Sequence, residues 1–570
     1  MNTRLVFLIL VMMGATLASP RLYCTRGDET CWPSAGDVAT LYETLNPTLP
    51  RVLSWPGGTA PRVSAVPIYS PGDQPLYGLG VGGLAPVYTQ SASDRTGTCF
   101  LPPSQPFAPT FCLTSVRNSP LEGWTPAFVA WPLSASHVQA VVNFATKHNL
   151  CISVAGTGHD FLNRHTSCDA GMLIRTSLMK NISWDLHDSR RLGAPDGSVR
   201  LGPGLVFHEV QSSAAQRGRF VSSGWALTVG VVGWSLGGGH GPLAPGAGLG
   251  VDNILEVELV TANGSIVIAN AGQNPDLFWA LRGGGGSNWG VVTAITLAAH
   301  RIPAGGFAKA TAYFQGPNCD AGATALAAFI DGTTAWMHHL DSRFGGLVFV
   351  APAKNDSSAC PVNWTVIVKF AYLGSSTDPV FVANVTNVPA FMQPYQVFPV
   401  QVKGYPTWFA AMADSPLEPI IPVPFFAPSA GSSGGVPSVL IQRPDMVNGN
   451  LSAIIKAQIA SCVTESFCSR MDLYHDITGN VGSSQPPNVA ISSGFRTAAI
   501  HFVYGPGSAA NVAQLERLGP NSYFSESAYE MTGTAWQARY WGDNYPRLLS
   551  IKQRWDPTLV FTCHNCVGSV

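Results

Sequence analysis

Charge is what this chain has least of. Asp, Glu, Lys and Arg make up 11% of its 570 residues and nearly cancel, 32 basic against 33 acidic. A net charge of −1 argues against a nucleic-acid groove and against docking on an anionic membrane. Long apolar runs are missing too: no stretch reaches the roughly eighteen apolar residues of a membrane span. No internal repeat is visible. What is abundant is glycine (59), proline (44) and tryptophan (15) in a chain that is 46% hydrophobic. That composition excludes disorder and suits a loop-rich globular protein. Its length is too great for one compact core, so two or three domains are expected.

The first residues, MNTRLVFLILVMMGATLASP, carry one arginine, a short apolar run from Leu5 to Met13, then small residues. This reads as a secretory signal peptide, residues 1–18, cut after Ala18, and hence a secreted, extracellular protein. Twelve cysteines, several in close pairs (Cys24/Cys31, Cys99/Cys112, Cys462/Cys468, Cys563/Cys566), suit an oxidising compartment. Sequons at Asn181, Asn263, Asn355, Asn363, Asn384 and Asn450 predict N-glycans. The CHNC pair around His564 could bind zinc. With no second such pair it reads as a disulfide, so no metal is expected.

Residues 19–120 are rich in Pro, Gly and Cys and read as an irregular, disulfide-tied extension. Their GLGVGG (Gly78–Gly83) matches a dinucleotide fingerprint in form only, since no strand leads in and no helix follows. Order begins near Pro126. AFVAWPL predicts a strand, Ser134 or Ser136 caps a helix through His148, and CISVAG predicts the next strand. Further strands are expected at GMLIRT, SVRLGPG, ILEVELVTANG and VVTAITLAA, with a short helix in NPDLFWALRGGGG. From about 305 to 500, strands such as GGLVFVAP, NWTVIVKFAYLG and AAIHFVYG alternate with helical stretches, a second α+β unit. The tail AWQARYWGDNYPRLLSIKQRWDP is helical until Pro557.

Two stretches carry chemistry. VAGTGHDF (Val154–Phe161) is a strand ending in a tight glycine turn, where backbone N–H groups can hold a phosphate. His159 just beyond is open to four roles: metal ligand, acid/base, covalent attachment point or structural hydrogen-bonding residue. TVGVVGWSLGGGHG (Thr228–Gly241) contains G-x-S-x-G, so Ser235 could be a hydrolase nucleophile. The glycines after it cannot begin the helix that such an elbow needs. The other reading is a glycine-rich cradle whose backbone lies against a large flat ligand.

Taken together, GTGHD, TVGVVGWSLGGGHG, GLGVDNILEVELVTANG, NPDLFWALRGGGGSNWGVVT and the tail WGDNYPRLLSIKQRWDP resemble, in order and spacing, the berberine bridge enzyme-like branch of the vanillyl-alcohol oxidase flavoproteins. The tail is most similar to fungal secreted FAD-linked oxidases. The resemblance implies an α+β fold of two lobes. One is a PCMH-type FAD-binding domain (121–305), completed by the C-terminal segment 516–570. The other is a substrate-binding domain (306–515) with an antiparallel sheet. It implies that Gly156, Thr157 and Gly158 hold the FAD pyrophosphate and that His159 bonds covalently to the flavin methyl carbon. Asp160, Thr228, Val229, Gly230, Gly233, Trp234, Gly237, Gly238, Gly241 and Asn544 are the other expected cofactor contacts. Members with two covalent bonds carry a cysteine where this chain has Ala226, so attachment through His159 alone is expected. For the base that takes the substrate proton, Tyr523, Glu526, Tyr529, Tyr372 and His501 are candidates. Val229 falls where a valine accompanies oxygen access. The function implied is oxidation of a small alcohol, sugar or specialised metabolite, with oxygen reduced to peroxide. A dehydrogenase with another acceptor and a non-catalytic flavin-binding protein are the alternatives.

Overall fold

A β–α–β unit seeds the first lobe. In the computed structural model the strand Phe128–Ala130 leads through the helix Ala135–Lys147 to the strand Ile152–Ala155. The Ser134 hydroxyl accepts from the His137 N–H and so satisfies one of the donors orphaned in the first helical turn. Val138, Val141, Val142 and Ala145 recur at helical spacing and are fully buried, which fixes the face the helix turns inward. The residues described are 23–24, 28–45, the strand pieces 53–54, 98–99 and 112–113, then 128–318 (without 158, 161, 163, 167–170 and 228), 324–354 and 362–414. Beyond these come 437–442, 451, 453–456, 471–475, 488–504, 516–527 and 535–569. GLGVGG, Cys462/Cys468, Asn355 and Asn450 lie outside them.

Met172–Arg175 pairs in parallel with both strands of the unit, and Leu53–Ser54 closes the small sheet's other edge. The extension before it is not irregular throughout. Ala35–Leu45 is a helix, and Val38, Leu41 and Leu45 pack on Phe128, Val138 and Val142. Their spacing of three and four places them on one helical face. Cys24 and Cys31 are joined, as are Cys563 and Cys566. Cys99 and Cys112 are register partners on two short strands.

A five-stranded antiparallel sheet, ordered Ile266–Asn270, Ile254–Val260, Val291–Ala298, Ser198–Leu201 and Ile182–Asp185, completes this lobe. The second lobe is a seven-stranded antiparallel sheet. Its order is Gln401–Tyr405, Phe307–Asn318, Val362–Tyr372, Phe344–Lys354, Met471–Tyr474, Ala498–Tyr504 and Ser438–Gln442. The period of two along a strand sorts its faces. Ile500, Phe502, Val439 and Ile441 enter the core with Leu326 and Ile330 of the helix Thr324–His338. His501 and its cross-strand partner Leu440 therefore face the other way, toward the first lobe.

The tail returns to the first lobe, where Phe561 bridges Ile152. The helix Tyr545–Trp555 buries Lys552, whose ammonium donates to Asp556 (2.7 Å) and to the carbonyls of Asn288 (2.6 Å) and Phe561. The Asp556 carboxylate also accepts from the Val560 and Phe561 N–H groups. Removing one partner of such a pair strands the other charge in the core. Lys552→Met is therefore expected to destabilise the fold by about 3–5 kcal/mol, read as a lower urea midpoint at constant slope.

Candidate functional site

The two sequence stretches singled out for chemistry meet in space. Gly156 and Thr157 follow the strand Ile152–Ala155, and the Thr157 side chain lies against Gly230. A Cβ at Gly230 would sit 3.1 Å from both the hydroxyl and the methyl of Thr157, so any larger residue there would make the threonine give way by a few tenths of an ångström. Val229 is half-buried at the start of this segment, and Ala226 is exposed. Gly158 and Thr228 lie outside the described residues.

The glycine-rich stretch is not a plain loop. Val231–Gly237 is a short helix, because Val231, Trp234 and Leu236 are buried in the core of the first lobe and tertiary burial outweighs the poor helix propensity of glycine. Ser235 lies inside that helix, fully buried, and not on an exposed elbow between strand and helix. This removes the hydrolase reading on geometric grounds. Gly238 and Gly239 then adopt positive φ (145° and 76°), which ends the helix and turns the chain to His240 and Gly241.

His159 is half-buried, and its neighbour Asp160 is fixed on both oxygens. One accepts from the N–H groups of Leu162 (3.0 Å) and Arg164 (2.9 Å), the other from the Arg164 Nε (2.9 Å). Arg164 reaches on to the tail, donating to the Phe524 carbonyl at 2.7 Å with its guanidinium 3.8 Å above the Phe524 ring. Asp160 thus holds the local turn, and Arg164 ties the His159 segment to residues 360 positions away. Burial pushes the nearby His165 down to about 4.

Phe524 belongs to the segment Tyr523–Glu526, which lies over Gly237–Gly239. The Gly239 N–H donates to the Tyr523 hydroxyl at 3.3 Å, and the Ser525 side chain packs where a Cβ of Gly237 would stand. Glu526 meets two imidazoles from different lobes: its Oε1 is 3.2 Å from the His240 Nε2 and its Oε2 is 3.4 Å from the His501 Nε2. Tyr523 stands edge-on to both rings, at 5.5 and 5.7 Å between centroids. Burial, then the adjacent His240, drives His501 well below the ordinary histidine value, so its imidazole is neutral at pH 7. Burial raises the Tyr523 hydroxyl well above the usual tyrosine range.

Three of the five base candidates, Tyr523, Glu526 and His501, are therefore brought together. Tyr529 lies outside the described residues. Tyr372 belongs elsewhere. It is in the core on the opposite face of the large sheet, and its hydroxyl donates to Asp378 at 2.8 Å beneath Arg343. Strand periodicity puts it there, since Val366, Val368, Phe370 and Tyr372 share one face. Asn544 donates to the Ile491 carbonyl at 2.7 Å and so links the tail to the loop before the helix Gly494–Thr497. His240 and Arg164 escaped the sequence reading, although GGGHG placed a histidine directly after the glycine run.

A flavin nucleotide fits these residues. Gly156 and Thr157 stand beside Gly230 at the His159 turn, and a Cβ at Gly233 would meet no atom within 4 Å. Comparison with known proteins agrees. The family described as FAD binding domain matches residues 126–270, and the family described as berberine and berberine like matches residues 516–568. An uncharacterized FAD-linked oxidoreductase of Arthroderma benhamiae is 27% identical over 623 residues, covering 100% of this chain and 98% of that protein. The crystal structure of the VAO-type flavoprotein MtVAO713 from Myceliophthora thermophila C1 superposes with a TM-score of 0.72 at 20% identity, covering 96% of this chain and 97% of the other. The xylooligosaccharide oxidase of the same fungus, in complex with xylobiose, superposes with a TM-score of 0.61 at 21% identity, covering 80% and 95%.

Proposed function

We propose that the chain, whose residues 126–270 match the FAD binding domain family and whose residues 516–568 match the berberine and berberine like family, is an FAD-linked oxidase. It takes a hydride from a small alcohol, sugar or specialised metabolite and passes the electrons to oxygen, giving hydrogen peroxide. The observation that carries this reading is the cluster of Glu526, His240, His501 and Tyr523, set over Gly237–Gly239 of the glycine-rich segment. A half-buried carboxylate between two imidazoles can receive the hydroxyl proton as the carbon loses its hydride.

The FAD, when bound, supplies the hydride acceptor. The chain's residues do the rest. Gly156, Thr157, Gly230 and Gly233 would hold the cofactor. His159 would hold it through its imidazole, a competent nucleophile near neutral pH, the two protons and two electrons lost in forming the link passing through the flavin to oxygen. Ala226 in place of a cysteine leaves that bond single. Tyr523 packs edge-on against both imidazoles. The xylobiose-bound oxidase among the structural neighbours favours a sugar hydroxyl as substrate. The apolar leader, paired cysteines and sequons support secretion as a glycoprotein, and the sparse, balanced charge argues against a nucleic-acid or anionic-membrane partner.

The test is a panel of sugars, alcohols and secondary metabolites, read by flavin bleaching without oxygen and by peroxide with it. A flavin that no panel member reduces, on a folded chain, would remove the enzymatic reading and leave a flavin-binding protein. Val229 bears on the acceptor. Val229→Leu adds a methylene in a packed site and is expected to slow reoxidation by oxygen about 10- to 100-fold, the rate equivalent of about 1–3 kcal/mol. Flavin reduction by substrate should be little changed. Stopped-flow measurement of both half-reactions checks it; slow wild-type reoxidation with fast turnover on a quinone would make the protein a dehydrogenase.

A further inference from the structure

We propose that His240, His501 and Glu526 bind one divalent transition-metal ion of the zinc class at the junction of the two lobes and the tail. One ligand atom from each residue lies within 4.8 Å of the other two. The His240 Nε2 lies 3.2 Å from one Glu526 oxygen and the His501 Nε2 lies 3.4 Å from the other. Ligands about 2.1 Å from a tetrahedral ion stand about 3.4 Å apart, so side-chain rotations that draw the three atoms in from within 4.8 Å of one another close the site. Two imidazoles and a carboxylate suit zinc, iron(II) or cobalt(II), and are a poor set for calcium or magnesium. Three protein ligands leave a position for water or a substrate oxygen, as catalytic zinc sites do.

The surroundings hold the ligands as a metal site requires. The His240 carbonyl accepts from the Trp234 indole at 3.0 Å. His501 sits mid-strand, paired on both sides by Leu440 and Tyr474. The Glu526 carbonyl accepts from the Ser438 hydroxyl at 2.6 Å. His501 is fully buried and His240 nearly so, and among the described residues the ion-pair partners of Glu526 are the two imidazoles. Among the described residues the carboxylate facing the two imidazoles is that of Glu526, and it would offset one of the two charges of a divalent cation. No sequence spacing announces the site, because its ligands stand at 240, 501 and 526.

An ion there would acidify a coordinated hydroxyl, with the second Glu526 oxygen left to take the proton. That consequence rests on the oxidoreductase reading; the metal site does not. The test uses the full-length flavoprotein, dialysed against a chelator and titrated with zinc by calorimetry, then with cobalt(II) followed by its visible d–d absorption. One zinc per chain is expected. Outer-shell changes alone cost about 10–100-fold in metal affinity, so His501→Ala, His240→Gln and Glu526→Gln should each weaken zinc by more than 100-fold. His187→Ala, which removes an exposed imidazole, should leave it unchanged. Flavin absorbance and thermal unfolding identify any variant that fails to fold, and the remaining ligand variants then decide. Less than one-tenth equivalent of zinc in the wild type would overturn the proposal, and so would ligand variants that bind like wild type. Because metal uptake is measured without substrate, its failure is distinct from a failure of flavin reduction.

Discussion

His159→Ala is expected to leave no flavin on the denatured chain. In wild type the flavin should survive acid precipitation and fluoresce on a denaturing gel; in the variant that fluorescence should vanish. The expectation follows from where His159 stands. Its neighbour Asp160 is bound on both oxygens and Arg164 clamps the segment to Phe524, so the imidazole is carried by a turn with little freedom. A nucleophile held in one orientation reacts far faster than a free one. The glycine backbone at 156, 230 and 233 is untouched, so the variant should still bind FAD without a bond. Loss of the bond withdraws less electron density from the ring, lowers its potential and slows reduction by substrate. Flavin that acid strips completely from the wild type would refute the covalent link while leaving FAD binding in place.

Much of the first lobe was legible because its signals are local. Ser134 and the Val138/Val141/Val142/Ala145 spacing announce one helix, and the apolar runs of ILEVELV and VVTAITLA announce two central strands. The glycine run misled for a physical reason: its helix forms because Val231, Trp234 and Leu236 find a core, which local propensity cannot see. Residues 35–45 misled differently, since three apolar positions were hidden in a segment dominated by Pro, Gly and Cys. In the second lobe the strands could be named but not their order, which places 438–442 beside 498–504. The site depends on that order. His240, His501 and Glu526 converge only because sheet, glycine turn and tail meet, and the choice among base candidates turned on strand facing. One residue of offset put His501 toward the first lobe, while Tyr372 went into the core.

Glu526→Gln is expected to slow flavin reduction by substrate about 10²–10⁴-fold, the usual contribution of a positioned base. Attachment of the flavin and its reoxidation by oxygen should stay near wild type. Among the clustered candidates, Tyr523 is the weaker proton acceptor, because burial raises its hydroxyl and keeps it protonated at neutral pH. His501 is held neutral, but it is fully buried behind Glu526, whereas Glu526 keeps one-fifth of its side chain exposed. Glutamine preserves shape and can still accept a hydrogen bond from His240, so the change removes basicity with little loss of packing. Anaerobic stopped flow gives the rate, and a value within about threefold of wild type would move the base to another residue, Tyr529 first. The same variant separates two ways of failing. If Glu526 served only to hold a metal ion, saturating zinc would restore the rate. If it takes the proton itself, the rate stays low with the ion bound, because an amide oxygen is too weak a base to replace a carboxylate.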